Sequence, residues 1–153
     1  MTKKQRSITH GSFTLERVFP NCTPARAFAA FATPEGKAKW FAGPKWEERK
    51  REFDFRVGGR ELLVGKHGNG VVSSFEARYY DIVPDERIIY SYEMHLDDNK
   101  ISVSIATLEF RAEGESCRLT MHEDGAFLDG YGGVDSRRKG TEILLDTVAR
   151  VLG

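Results

Sequence analysis

The chain is 153 residues long, and its 23 lysines and arginines balance 23 aspartates and glutamates. Hydrophobic residues make up 40%, with ten Phe, five Tyr and two Trp, enough for a core without covalent staples, which excludes disordered and fibrous classes. A formal net charge of zero leaves no positive excess to gather phosphates, so nucleic acid is not an expected partner.

The basic start, Met1 to Arg6, leads into no apolar segment, and no apolar run reaches the ~20 residues that cross a bilayer. These features predict one domain over residues 1–153, with 1–10 flexible, no membrane span and a cytoplasmic location. Residues 12–19 alternate apolar Phe13 and Leu15 with polar Thr14 and Glu16, the period of a half-buried strand. Thr23-Pro24 then supplies a capping hydroxyl and a proline at the first helical position, with Phe28, Phe31 and Ala32 on one face. Thr33-Pro34-Glu35 repeats that chemistry, and Gly43-Pro44 closes the segment after Trp40-Phe41, which predicts two short helices within 24–41.

From Glu52 to Glu123 the pattern is β. Gly58-Gly59, Gly68-Asn69-Gly70, Pro84-Asp85-Glu86, Asp97-Asp98-Asn99 and Glu113-Gly114-Glu115 divide it into six strands. Short turns make neighbours antiparallel, so with the first strand the chain predicts a seven-stranded antiparallel sheet. After Gly132-Gly133, Val134, Thr141, Leu144, Leu145, Val148, Val151 and Leu152 recur at helical spacing, opposite Arg137, Arg138, Glu142 and Asp146. A long C-terminal helix is the expectation. The fold class is α+β, and one sheet and one helix bury each other only if the sheet curls around the helix. Cys22 and Cys117 read as two free thiols rather than a disulfide framework.

Several stretches are similar to a known family. Arg17-Val18-Phe19-Pro20-Asn21-Cys22-Thr23-Pro24 leading to Phe28, and Thr33-Pro34-Glu35 leading to Lys39-Trp40-Phe41-Ala42-Gly43-Pro44, resemble the opening of the AHSA1-like (activator of Hsp90 ATPase homologue) family. Phe55-Arg56-Val57-Gly58-Gly59-Arg60 resembles its Gly-Gly hairpin, and residues 82–92 its proline-turn hairpin. Leu108-Glu109-Phe110 and Cys117 to Glu123 resemble its last two strands, so the resemblance runs from about residue 12 to 152 in matching order. It implies the helix-grip fold of the START/Bet v 1-like (SRPBCC) superfamily: a curved seven-stranded antiparallel sheet wrapped around a long C-terminal helix, with two short helices after the first strand and an internal cavity. The chain departs from the family at Thr141, where a Trp often follows the glycine corresponding to Gly140. The smaller residue enlarges the cavity unless Phe127 or Tyr131 repacks it.

The expected ligand-binding residues are Trp40, Phe41, Trp46, Phe55, Tyr79, Tyr90, Tyr92 and Met121, with Thr141 and Leu145 from the helix; Phe53 is a further candidate for this region. Apolar walls with a few phenolic hydroxyls are the usual composition of a small-molecule site, although the same rings equally serve as plain core. Tyr90 and Tyr92, two apart on a strand, share one face.

No catalytic, metal or cofactor residues are assigned. His10, His67, His95 and His122 with the two cysteines lack paired zinc spacing, and Asp97-Asp98-Asn99 lacks the glycine and glutamate of a calcium loop. Gly68-Asn69-Gly70 precedes a strand, and Gly130-Tyr131-Gly132-Gly133 lacks the P-loop lysine, so neither cradles a phosphate. Asp54, Glu61, Glu109, His95, His122 and Glu123 lie in the sheet region, and any that faces the cavity would have its pKa shifted by desolvation. The charged runs Lys45–Arg51 and Arg137-Arg138-Lys139 read most simply as solvated faces.

The leading expectation is a binding protein for a small hydrophobic or aromatic molecule held between sheet and helix, and the sequence leans away from an enzyme without excluding one. A cyclase- or dehydratase-like enzyme using the same cavity is one alternative, with no catalytic motif to carry over. A module that binds a chaperone or another protein is the other, and a homodimer is compatible with the sequence.

Overall fold

A computed structural model describes residues 5–41 and 45–153; the Gly43-Pro44 stop and most of the basic start lie outside the described residues. In chain order the elements are β1 (Ile8–Phe19), α1 (Pro24–Ala32), α2 (Pro34–Ala38), β2 (Glu47–Phe53), β3 (Arg60–Lys66), β4 (Val72–Val83), β5 (Arg87–Leu96), β6 (Asn99–Glu113), β7 (Ser116–Leu128) and α3 (Val134–Leu152). The strands form one antiparallel sheet in the order β1-β7-β6-β5-β4-β3-β2. This is the α+β helix-grip architecture: the sheet curves around α3, and the two short helices follow the first strand.

Both short helices start as their sequences dictate. The Thr23 hydroxyl accepts from the Arg26 amide at 3.1 Å, and the Thr33 hydroxyl accepts from the Gly36 amide at 3.0 Å. Helix α1 buries Phe28 and Phe31, which pack edge-on against Phe110 of β6 with centroids 5.5 and 5.6 Å away. Trp40, just past α2, donates its indole N–H to the Ala30 carbonyl at 2.8 Å and ties the two helices together.

Two boundaries differ from expectation. Strand β1 begins at Ile8, paired with Leu128, so Ile8–His10 of the segment expected to be flexible belong to the sheet. Strand β2 begins at Glu47, inside the charged run read as a mere solvated face. The two readings are physically compatible: β2 is an edge strand, and charge on an edge discourages pairing with other chains.

The hollow follows from side-chain size along rows that cross the sheet. One row runs Glu61, Ala77, Tyr92, Ser104, Gly125 and Gly11 through successive strand partners. Its neighbour runs Tyr79, Tyr90, Ala106, Glu123 and Phe13. Small residues stand beside large ones, so the concave face is pitted where α3 crosses it. Helix α3 comes closest at β1, where a Cβ on Gly11 would lie 2.5 Å from Val134 Cβ. Thr141, Leu145, Val148 and Leu152 form its buried stripe.

Candidate functional site: a cavity under the C-terminal helix

Between the concave face, α2 and α3 lies a cavity of about 360 Å³. Its walls include Trp40, Phe41, Trp46, Tyr90, Tyr92 and Met121, joined from the helix by Thr141 and Leu145. Eight of the ten residues expected to bind a ligand are therefore brought together around one space. Phe55 and Tyr79 are not among its walls. Phe55 packs against Phe28, Phe53 and Tyr79, with centroids 5.9, 5.9 and 4.9 Å away, and belongs to the core behind the cavity. Tyr79 is drawn away from the space by its hydroxyl, which donates to Glu61 Oε1 at 2.6 Å.

Two charged clusters are built into this apolar setting. In the first, Lys37 of α2 donates to the same Glu61 oxygen at 2.6 Å, with side chains only 5% and 1% exposed. The Lys37 ammonium also stands 4.7 Å from the Phe41 ring centroid and 5.2 Å from that of Phe75, a cation–π setting. Desolvation lowers the Lys37 pKa, opposed by the charge and hydrogen bond of Glu61. Burial, followed by the neighbouring Glu61 carboxylate, raises the Tyr79 pKa.

In the second cluster, Tyr92 donates to Glu123 Oε2 at 2.7 Å, and Arg137 Nη1 donates to the Tyr92 oxygen at 2.8 Å. Arg137 Nη1 also reaches Glu123 Oε2 at 3.5 Å, and Nη2 donates to Ser102 Oγ at 2.8 Å. Burial pushes the Glu123 pKa up against the hydrogen bond from Tyr92 and the charge of Arg137. Tyr92 is likewise raised, by burial first and then by Glu123. The second oxygens of both carboxylates, Glu61 Oε2 and Glu123 Oε1, are buried without a hydrogen-bond partner among the described residues.

Arg137 corrects an expectation. The run of three cations predicts a solvated face for it with Arg138 and Lys139, yet its side chain is 17% exposed and lines the cavity. The spacing 137, 141, 145, 148 and 152 puts it on the buried stripe, which was the sequence signal to follow. Glu61 and Glu123 carried a similar signal. Each occupies an inward position in an alternating strand, beside Leu63 and Met121 respectively. Lys37 gave no such sign, because its partner is 24 residues away on a different element.

The outer face offers less. His122 hydrogen-bonds Thr14 at 2.8 Å and Asp124 at 3.1 Å, but the three lie on the exposed side of the sheet. Cys22 and Cys117 are free, as expected, and both are buried. Among the described residues, no group of three or more His, Cys, Asp or Glu is arranged to hold a metal ion, and no helix is long and apolar enough to cross a membrane.

Comparison with known proteins decides the family. The family model described as activator of Hsp90 ATPase homolog 1-like protein matches residues 21–152. The chain belongs to the AHSA1-like family. A search of curated proteins finds no match. Among solved structures, an uncharacterised protein from Rhizobium leguminosarum is 39% identical to this AHSA1-like chain, with a TM-score of 0.90 and 97% of each chain covered. A protein from Rhizobium loti is 38% identical at a TM-score of 0.85, covering 94% of this chain and 98% of its own. An AHSA1-like protein from Aeromonas hydrophila shares the fold at 16% identity and a TM-score of 0.67, covering 92% and 90%.

Proposed function

We propose that this AHSA1-like protein binds a small, largely apolar or aromatic molecule in the cavity beneath α3, as a cytoplasmic carrier or sensor. The observation that supports the reading is the cavity itself: about 360 Å³, walled by aromatic rings from the segment just past α2, the loop before β2 and β5, with a few polar groups at fixed positions. That volume lies within the range of small-molecule sites. The ligand gains affinity from apolar area removed from water, at about 25 cal/mol per Å² before the costs of association.

Titration with N-phenyl-1-naphthylamine, a neutral dye that brightens in apolar surroundings, tests this. Saturable one-to-one binding is expected, and Thr141→Phe, which places a ring in the cavity, should weaken it about tenfold or more at an unchanged far-UV circular dichroism spectrum. Failure of the dye to saturate, or indifference to Thr141→Phe, overturns the proposal.

A second reading, acid–base chemistry in the same space, is favoured by one specific observation. Glu123, Tyr92 and Arg137 stand within hydrogen-bond reach of one another, and the pKa of the carboxyl is raised by desolvation. A carboxyl so placed is suited to give or take a proton. Product formation from a carbonyl substrate, lost in Glu123→Gln while dye binding persists, is the expected signature of that activity.

A further inference from the structure

The cavity wall carries more information about its occupant than size and greasiness. Tyr90 projects from β5 between the two charged clusters: its ring centroid is 5.8 Å from those of both Tyr79 and Tyr92, and 5.9 Å from Lys37 Nζ. Tyr79 and Tyr92 each commit their hydroxyl to a carboxylate, whereas the Tyr90 hydroxyl has no hydrogen-bond partner among the described residues. A phenol at a cavity wall normally meets a partner, and here the space in front of it is the ligand's.

The groups around it are rich in donors. An ammonium has three N–H bonds and a guanidinium five. Lys37 gives one of its three to Glu61, and Arg137 uses three, on Tyr92, Glu123 and Ser102. The unpartnered carboxylate oxygens, Glu61 Oε2 and Glu123 Oε1, are buried, and of the two residues only Glu123 is among the cavity's walls. Apart from Glu123, whose oxygens are buried, what Lys37, Tyr90 and Arg137 offer an occupant is N–H and O–H, which is complemented by an acceptor.

Charge narrows the class further. The two cations at the wall are each already paired with a carboxylate, Lys37 with Glu61 and Arg137 with Glu123. An anionic ligand would be stripped of water against a neutral set of charges, and a cationic one would meet the same deficit. An uncharged acceptor avoids that cost. We infer that the cavity selects neutral, mainly apolar molecules bearing a carbonyl-class oxygen, which accepts from the Tyr90 hydroxyl, over charged molecules of the same shape. This inference rests on the proposed cavity binding and goes beyond it by naming the ligand chemistry.

A matched set of naphthalenes tests it: 2-acetylnaphthalene as the ketone, 2-naphthoate as the anion, 2-naphthylmethylamine as the cation and 2-ethylnaphthalene as the hydrocarbon. Dissociation constants are measured by displacement of N-phenyl-1-naphthylamine from the wild type and from Tyr90→Phe, which keeps the ring and removes only a hydroxyl that holds no protein group. The ketone is expected to bind wild type several-fold more tightly than the hydrocarbon and about tenfold more tightly than either ion. In Tyr90→Phe the preference for ketone over hydrocarbon should vanish while hydrocarbon affinity is kept. Equal binding of ketone and hydrocarbon, tighter binding of either ion, or a ketone preference that survives Tyr90→Phe overturns this inference and leaves cavity binding standing. Absence of binding by the dye and all four probes overturns both.

Discussion

A single hydrogen atom lets Trp46 reach the cavity wall. Its indole lies against Gly65 of β3 so closely that a Cβ there would stand 1.8 Å from Trp46 Cε2. Gly65→Ala is expected to drive the ring off the strand and to cost about 1–3 kcal/mol, as overpacked sites do. Denaturant titration measures the cost, and a red shift of Trp46 emission in a Trp40→Phe background reports the displacement. The charged residues give pH signatures of opposite sign. The Glu123 pKa is raised above its ordinary 4.5, so just above that pH the folded state holds a proton that the unfolded chain has released. Stability from this group falls as pH rises through the window, and the wild-type Tm should decline relative to Glu123→Gln as pH climbs from about 4.5. Lys37 is lowered from 10.5, so below that value the unfolded chain binds the extra proton. The wild-type Tm should gain on Lys37→Met as pH approaches 10.5; thermal melts over a pH series check both.

At the scale of elements, α2 illustrates dependence on a partner. Five residues are too few to hold a helix in water, and Pro34–Ala38 is fixed to β3 by the Lys37–Glu61 pair. Lys37→Ala leaves a carboxylate buried without its cation and should cost about 3–5 kcal/mol. Replacing both partners, Lys37→Met with Glu61→Leu, should recover most of that loss, as measured by urea unfolding. The same pair shows what the sequence can and cannot disclose. Strands, turns and the α3 stripe were legible because each expresses a local period, and the capping threonines because their hydroxyls act within three residues. The aromatic walls followed from those elements once the sheet was curved. The charged clusters were not legible, because their partners lie 24 and 14 residues apart on different elements and meet only in the folded chain. Arg137 was hidden for another reason: it opens a run of three cations whose other members, Arg138 and Lys139, do face solvent.

For the whole molecule, the order of strands matters more than any one contact. β1 pairs with β7 along its entire length, Ile8 with Leu128 through Phe19 with Cys117, so the first strand is completed by the last. Such non-local pairing places folding in the millisecond-to-second regime typical of sheets of high contact order, which stopped-flow refolding would check. Leu15, buried at this seam opposite Met121, should cost about 2–5 kcal/mol when cut to Ala.

The seam also has a consequence during translation. A ribosome makes Phe13, Leu15 and Phe19 more than a hundred residues before the end of β7, so the earliest strand must wait, greasy side uncovered, for its neighbour to emerge. The nascent chain is therefore most vulnerable to clumping late in synthesis, and conditions that stall elongation before residue 116 should be the ones that most reduce its yield.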